Sequence, residues 1–471
     1  MNRPVSPSLA KWQASTVALL FVGYAGYYIC RSNLALAKGP LAEEFASLGV
    51  TRESVTTVAS IAVLWYSVGK LVNGTICDFV GGRRMFLFGM FGSVACTLLF
   101  LASPNLAAWL GGPPSDASWR ALAPQTGGLL FALFLGAFSM NRFIQSMGWG
   151  ALVKIASAWF SFHAYGRVMG ILCMSYLFGD SLARLALGGV LYAGLGWRGM
   201  FACAAFALFA VGAVNALFLR ARPADVGLAP PPVSPANLFG ELGGEETPRG
   251  LWDLFRPYLT SFAFWLVLIM SVALSFVRES LNYWNNDYIQ IAAGVGQSAA
   301  AMYSSLFPFF GAVAVFAMGF LSDRVSQGKR GLWMAASLAL LLPILAVMAL
   351  VPEIQGTFLP IAFIACVGFL SLAPYAFLSG VIALDLGGKR GSSTAAGVVD
   401  AFGYALGSVP GMKLVDYLVR GDRIEDWRPF FLVMFALVAG ATLACVGYWF
   451  FQERRGPQAS GAPRRSGRNG G

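Results

Sequence analysis

The stretch Gly74–Met85, GTICDFVGGRRM, has a counterpart far downstream at Gly319–Gly331, GFLSDRVSQGKRG. Both read Gly-x-x-x-Asp followed by a basic turn. The first copy carries Gly74, Asp78, Gly82, Arg83 and Arg84; the second carries Gly319, Asp323, Arg324, Lys329 and Arg330. An arginine precedes each copy at nearly the same distance: Arg31 lies 43 residues before Gly74, and Arg278 lies 41 before Gly319. Apolar composition alone does not repeat polar landmarks at matched spacing, so the chain reads as two related halves.

Each copy sits between apolar runs. The chain has 471 residues, of which 57% are hydrophobic and 12% charged, and its mean hydropathy is +0.66. A soluble chain has about twice that charged fraction. Runs close to the roughly 20 residues that cross a bilayer recur throughout. They fall at 14–38, 54–76, 84–103, 126–153, 167–193, 199–219, 259–286, 299–321, 332–351, 357–384, 392–416 and 429–452. Each run must satisfy its own backbone hydrogen bonds in lipid, which selects helices. The expected fold is an all-α membrane protein with twelve transmembrane helices in two six-helix, pseudo-symmetric halves. Arg3 and Lys11 before the first run invite a signal-peptide reading. The run is too long for one, has no small-residue cleavage site, and continues into Tyr27, Tyr28 and Arg31.

The longest polar break, 221–257, is rich in Pro, Gly and Glu and reads as a linker. The expected organisation is therefore a half at 1–220, a cytoplasmic linker at 221–257, a half at 258–452, and a disordered basic tail at 453–471. The seven cysteines are scattered without a Cys-x-x-Cys pair, so neither disulfides nor metal ligation is expected. The net charge of +11 is not read as nucleic-acid binding, because it follows topology. Arg83, Arg84, Arg324, Lys329, Arg330, Lys389 and Arg390 fall in alternate connections, which places both termini in the cytoplasm. A monomer in a bacterial inner (plasma) membrane is expected.

Parallel six-span repeats are related by an axis along the membrane normal, which brings spans 1 and 7 to opposite sides of one cavity. Polar stripes at helical spacing face that way, because polar groups avoid lipid. Span 1 gives Tyr24, Tyr27 or Tyr28, and Arg31; span 2 gives Tyr66, Lys70 and Asn73. Span 4 gives Asn141 or Arg142, Gln145 and Trp149. Span 7 gives Ser271, Ser275, Arg278, Asn282 and Asn285; span 11 gives Asp400, Tyr404 and Ser408. Arg31, Lys70 and Arg278 repel one another unless an anion joins them. A phosphate fits, since guanidinium forks match its oxygens and lysine adds a point charge. Bland alternatives remain: Arg31 and Lys70 could snorkel outward, and Arg278 could pair with Glu279 or Asp287. Asp78 and Asp323, with Arg83, Arg84 and Arg324, read as gating charges that hold one conformation and release in another. Asp78 has a helix N-terminus or an arginine as its expected partner.

The arrangement resembles the major facilitator superfamily over the whole chain. GYAGYYICRSN, IAVLWYSVGKLVNGTICD, QSMGWGALVKIASAWFS and GSSTAAGVVDAFGYALGS resemble the organophosphate:inorganic-phosphate antiporters within it, and RPADVGLAPP is similar to that family's linker. The resemblance implies that Arg31 and Arg278 bind phosphate, while Lys70, Tyr24, Tyr28, Gln145, Trp149 and Tyr404 line the pocket. The departures are specific. Ser32 stands where many members have Lys, and Tyr283 and Pro308 stand where they have the matching carboxylates. Ala158 replaces a histidine, Arg142 replaces a small residue, and Asp180 and Arg184 are charged where members are usually not. Asp180 and Arg184, at i and i+4, are expected to pair. Arg142 either adds a second anion subsite or pairs with Glu279, Asp180 or Asp400.

The function expected from these features is organophosphate transport in exchange for inorganic phosphate. A proton-coupled symporter of organic anions, using Asp400, Glu279 or Asp180, and a non-transporting sugar-phosphate sensor are the alternatives. No P-loop, metal-ligand cluster or Ser/His/Asp constellation points to an enzyme, and no cofactor is expected. The only histidine, His163, is expected to be solvated.

Overall fold

The computed structural model describes residues 7–110, 126–245, 247–325, 329–351, 358–419 and 423–454. The first half comprises α1 (Pro7–Glu44), α2 (Arg52–Val80), α3 (Gly82–Leu110), α4 (Thr126–Gln145), α5 (Met147–Trp159), α6 (Tyr165–Tyr192) and α7 (Gly196–Phe218). The second comprises α8 (Leu251–Thr260), α9 (Phe262–Ala293), α10 (Gln297–Ser304), α11 (Leu306–Val325), α12 (Gly331–Leu350), α13 (Phe358–Phe377), α14 (Ala383–Phe402), α15 (Val409–Leu418) and α16 (Arg428–Tyr448). Among the described residues, ten helical stretches are long and apolar enough to cross a membrane. One of them, Phe358–Gly411, contains both the tenth and the eleventh expected spans and turns at Gly388, whose φ is +56°. The first expected span is α1, which is long enough but is diluted by Arg31, Lys38 and its tyrosines. Large apolar side chains such as Leu185, Phe206, Leu340 and Leu443 are exposed around the outside, where a bilayer would receive them.

Within the halves, α1 packs on α6 and α7, and α12 packs on α16. The halves meet where α2 crosses α14 and where α6 crosses α11. Glycines set both crossings. A Cβ on Gly397 would lie 2.3 Å from the Lys70 carbonyl oxygen, and one on Gly74 would lie 2.9 Å from that of Ser393. At the other crossing, a Cβ on Gly166 would lie 2.6 Å from the Gly319 carbonyl oxygen. The first glycine of each repeat copy is thus a contact between halves.

The expected linker is not a loose connector. Its residues form a strap against the corner between α13 and α14. Leu238 N donates to the Leu386 carbonyl (2.9 Å), and Lys389 Nζ donates to that of Pro231 (2.9 Å). Arg390 pairs with Glu245 and with Asp253 of α8, a helix that begins inside the expected linker. Arg390 lends its donor to Asp253, as does the Arg249 amide, and this holds the carboxyl below the usual carboxylate range. At the far end, the helical chain continues through Arg454, and Glu453 accepts from the amides of Arg330 (2.5 Å) and Gly331 (3.0 Å). The tail expected from 453 therefore starts later than its composition implied; residues 455–471 lie outside the described residues.

Candidate functional site

A small tyrosine-lined cavity of about 30 Å³ is lined by Arg278 and by Tyr28 and Tyr66, the phenols that Arg31 contacts. Arg31, on α1, donates to the hydroxyls of Tyr28 and Tyr66, each at 3.3 Å. Arg278, on α9, donates to the hydroxyls of Tyr375 (2.9 Å) and Tyr404 (3.3 Å). Each arginine thus faces a pair of phenols. The rings of Tyr66 and Tyr404 meet edge to face at 5.5 Å, so two aromatic rings separate the guanidinia. Tyr404 sits in a π-helical turn, Gly403–Ser408, and a second such turn, Leu378–Ile382, carries Ser379. Widened turns of this kind re-aim single side chains and are frequent at functional sites. Tyr24 lines the cavity and packs on Trp149, with ring centroids 5.3 Å apart. The Trp149 indole donates across the halves to the Ser379 carbonyl at 3.0 Å.

Neither Lys70 nor Arg278 depends on a bound anion for charge compensation, contrary to the expectation of three uncompensated cations. Lys70 lies 2.7 Å from Asp400 of the other half, and Arg278 lies 2.7 Å from Glu279. Lys70 is buried, which rules out outward snorkelling in this conformation. Asp180 pairs with Arg184 at 2.9 Å, as their spacing indicated, and also accepts from Ser32 at 2.6 Å. Ser32 is thus joined to the charges that set this chain apart from the resembling family.

Gln145 departs from its expected place. Its amide donates to Ser93 on α3 (3.0 Å), within a polar cluster with Asn141 and Thr97. It does not line the cavity. Next to Gln145, Ser146 marks the joint between α4 and α5, with its backbone still helical. The Asn73 amide donates there to the Phe143 carbonyl (2.9 Å) and the Ser146 hydroxyl (2.8 Å). Arg142 stands 4.9 Å over the Tyr66 ring. None of Glu279, Asp180 and Asp400 pairs with it: each is engaged by another cation.

The repeated aspartates lie at the linker end, away from the cavity. Asp78 accepts from the Thr394 amide of α14 at 2.7 Å and pairs with Lys154 at 2.8 Å. Lys154 in turn donates to the Lys389 carbonyl across the halves, at 2.5 Å. Asp323 accepts from the first-turn amides of α6, Gly166 (3.0 Å) and Arg167 (2.8 Å), and from Arg330 at 2.8 Å. Free amides and a positive dipole end make a helix start suited to a carboxylate. The cationic partners are Lys154 and Arg330, not the arginines first assigned to gating. Arg83 instead donates to the carbonyls of Leu219 (2.7 Å) and Ala216 (2.6 Å) at the end of α7, in its own half. Arg84 and Arg324 are exposed. Tyr375, Tyr176 and Ser379 were missed at the cavity. Asp400 had appeared as a stripe residue, a proton-site candidate and a candidate partner of Arg142, not of Lys70. His163 is exposed, as expected.

Several characterised proteins are similar to this chain over most of their length. The glycerol-3-phosphate transporter of Bacillus subtilis is 26% identical over 439 residues, covering 91% of this chain and 89% of that protein. The membrane sensor protein UhpC of Salmonella typhimurium is 26% identical over 442 residues, with 91% and 89% covered. The hexose-6-phosphate:phosphate antiporter of Escherichia coli K12 is 24% identical over 398 residues, with 83% and 79% covered. Among solved structures, an outward-facing bacterial homologue of the iron transporter ferroportin superposes with a TM-score of 0.66 at 13% identity, over 92% of this chain and 99% of that one. The outward conformation of FucP gives 0.62 at 13%, over 92% and 98%. Neither the relatives nor the structural neighbours are enzymes. The sequence pattern of the Major Facilitator Superfamily matches residues 20–412, and the chain belongs to that superfamily as an integral, multi-pass membrane protein.

Proposed function

We propose that the chain is a secondary carrier of organophosphates that exchanges them for inorganic phosphate by alternating access, with both termini in the cytoplasm. The observation that carries this reading is the placement of Arg31 and Arg278 on equivalent helices, each facing phenols that open to one cavity. A phosphoryl group replaces those hydroxyls as the acceptor and draws the two halves together, since guanidinium–phosphate bonds are stronger than neutral ones. Similarity to a glycerol-3-phosphate transporter and a hexose-6-phosphate:phosphate antiporter supports the same reading. The basic connections support the orientation.

Proteoliposomes loaded with inorganic phosphate test the proposal. Labelled external phosphate should enter only by exchange, and external glycerol 3-phosphate or glucose 6-phosphate should compete. Uptake that collapses with an uncoupler would favour the proton-coupled alternative, for which Asp400 and Glu279 are poorly suited because each already faces a cation. Similarity to a membrane sensor gives the sensor reading its support. Binding without counterflow would select it.

A further inference from the structure

Arg31, Arg142 and Lys70 all gather around a single ring, that of Tyr66, at 4.6, 4.9 and 5.0 Å. Only Lys70 among them has a carboxylate beside it. Arg142 is buried, and its Nη1 has no hydrogen-bond partner. The last turn of α4, where it sits, supplies at most about half a negative charge. An unpaired buried guanidinium is strongly destabilising unless something compensates it. Water could solvate the nitrogen but not offset the charge.

Resting on the transport reading above, we propose that Arg142, with Arg31 across the Tyr66 ring, forms a second anion subsite, and that the preferred substrate carries a second anionic group. Such a compound bears a carboxylate or second phosphate in addition to the phosphoryl group. The phosphoryl group lies between Arg31 and Arg278, and the second anion takes the free donor of Arg142. Glu279 and Asp400 leave Arg31 and Arg142 without a carboxylate; the phosphoryl group meets Arg31, and the second anion meets the buried Arg142 donor.

The test is competition against phosphate exchange in proteoliposomes. Glycerol 3-phosphate and 3-phosphoglycerate share a three-carbon skeleton and differ by a hydroxymethyl group against a carboxylate. For the unaltered protein, 3-phosphoglycerate should inhibit at a concentration at least about tenfold lower, the factor that one charge-assisted contact supplies. Arg142→Gln should shrink that ratio towards one, and Arg142→Lys should keep part of it. Equal inhibition by both compounds in the unaltered protein overturns the proposal, whatever the variants do. An undiminished ratio in Arg142→Gln also overturns it. Absence of any phosphate exchange in the unaltered protein refutes the transport reading instead. Should Arg142→Gln fail to fold, thermal stabilisation of the purified unaltered protein by each compound supplies the same comparison.

Discussion

Arg31 and Arg278 meet tyrosine hydroxyls through single nitrogens, so the rest of each planar fork remains for a ligand. Lysine keeps the charge and loses the fork. Arg31→Lys and Arg278→Lys should each reduce phosphate exchange by at least about tenfold while the protein still inserts; exchange at the unaltered rate would place the site elsewhere. The Lys70–Asp400 pair makes a different prediction because it is buried and joins the halves. Asp400→Asn strands a cation and should cost about 3–5 kcal/mol. The double change Lys70→Met with Asp400→Leu should cost less, since no charge is left behind. Thermal unfolding in detergent ranks the two, and a double variant weaker than the single one would contradict the pairing.

At the scale of helices, the two Gly-x-x-x-Asp copies do matching work. Each glycine seats a crossing between the halves, and each aspartate receives main-chain donors from the other half. Asp78→Asn should therefore slow turnover several-fold more than it weakens phosphate binding, because Asp78 lies outside the cavity. Parallel measurements of exchange rate and equilibrium binding decide this; lost affinity with unchanged turnover would assign Asp78 to the ligand. This part of the fold was legible because the repeat kept both residue type and spacing. The partners were not. Thr394 is remote from Asp78 in sequence and offers a backbone amide, a donor common to nearly every residue. Lys154 lies in an apolar run without a counterpart in the repeat. Gln145 was misplaced because helical spacing sets it near Trp149 but does not reveal that Ser93 of a neighbouring helix takes its amide. The segment 221–257 was read only as a linker from its Pro, Gly and Glu content; the strap it forms was not legible, because its anchor, Arg390, belongs to a different segment.

Across the whole molecule, the strap ties the connection between halves to the α13–α14 corner. Asp253 is held below its ordinary range, so its contact with Arg390 is fully present above the ordinary carboxylate pKa. It is lost as pH falls through the depressed value. Hydrogen exchange at residues 231–245 should therefore rise on acidification to below about pH 4, and Asp253→Asn should raise it at neutral pH. Protection that persists in the variant would show that the Asp253 contact does not hold the strap. The linker-end contacts also exclude solvent, and Ser393 is fully buried there. A cysteine at Ser393, in a background lacking the exposed Cys203 and Cys366, should react slowly with a maleimide. It should react several-fold faster when Asp78→Asn is added, if that contact keeps this end shut. Unchanged labelling would separate Asp78 from closure.

The two aspartates grip amides, and that has a consequence for heredity. At Arg167 and Thr394 a change of side chain leaves the donor in place, because every residue except proline supplies an N–H, whereas Gly166 is held by the close approach of Gly319. Gly166 aside, mutation can therefore abolish either clasp readily from the aspartate side only. Compensating changes for a lost aspartate should arise among neighbouring cations or at the glycine crossings. Apart from Gly166, the identity of the donating residue matters less than its place in the backbone.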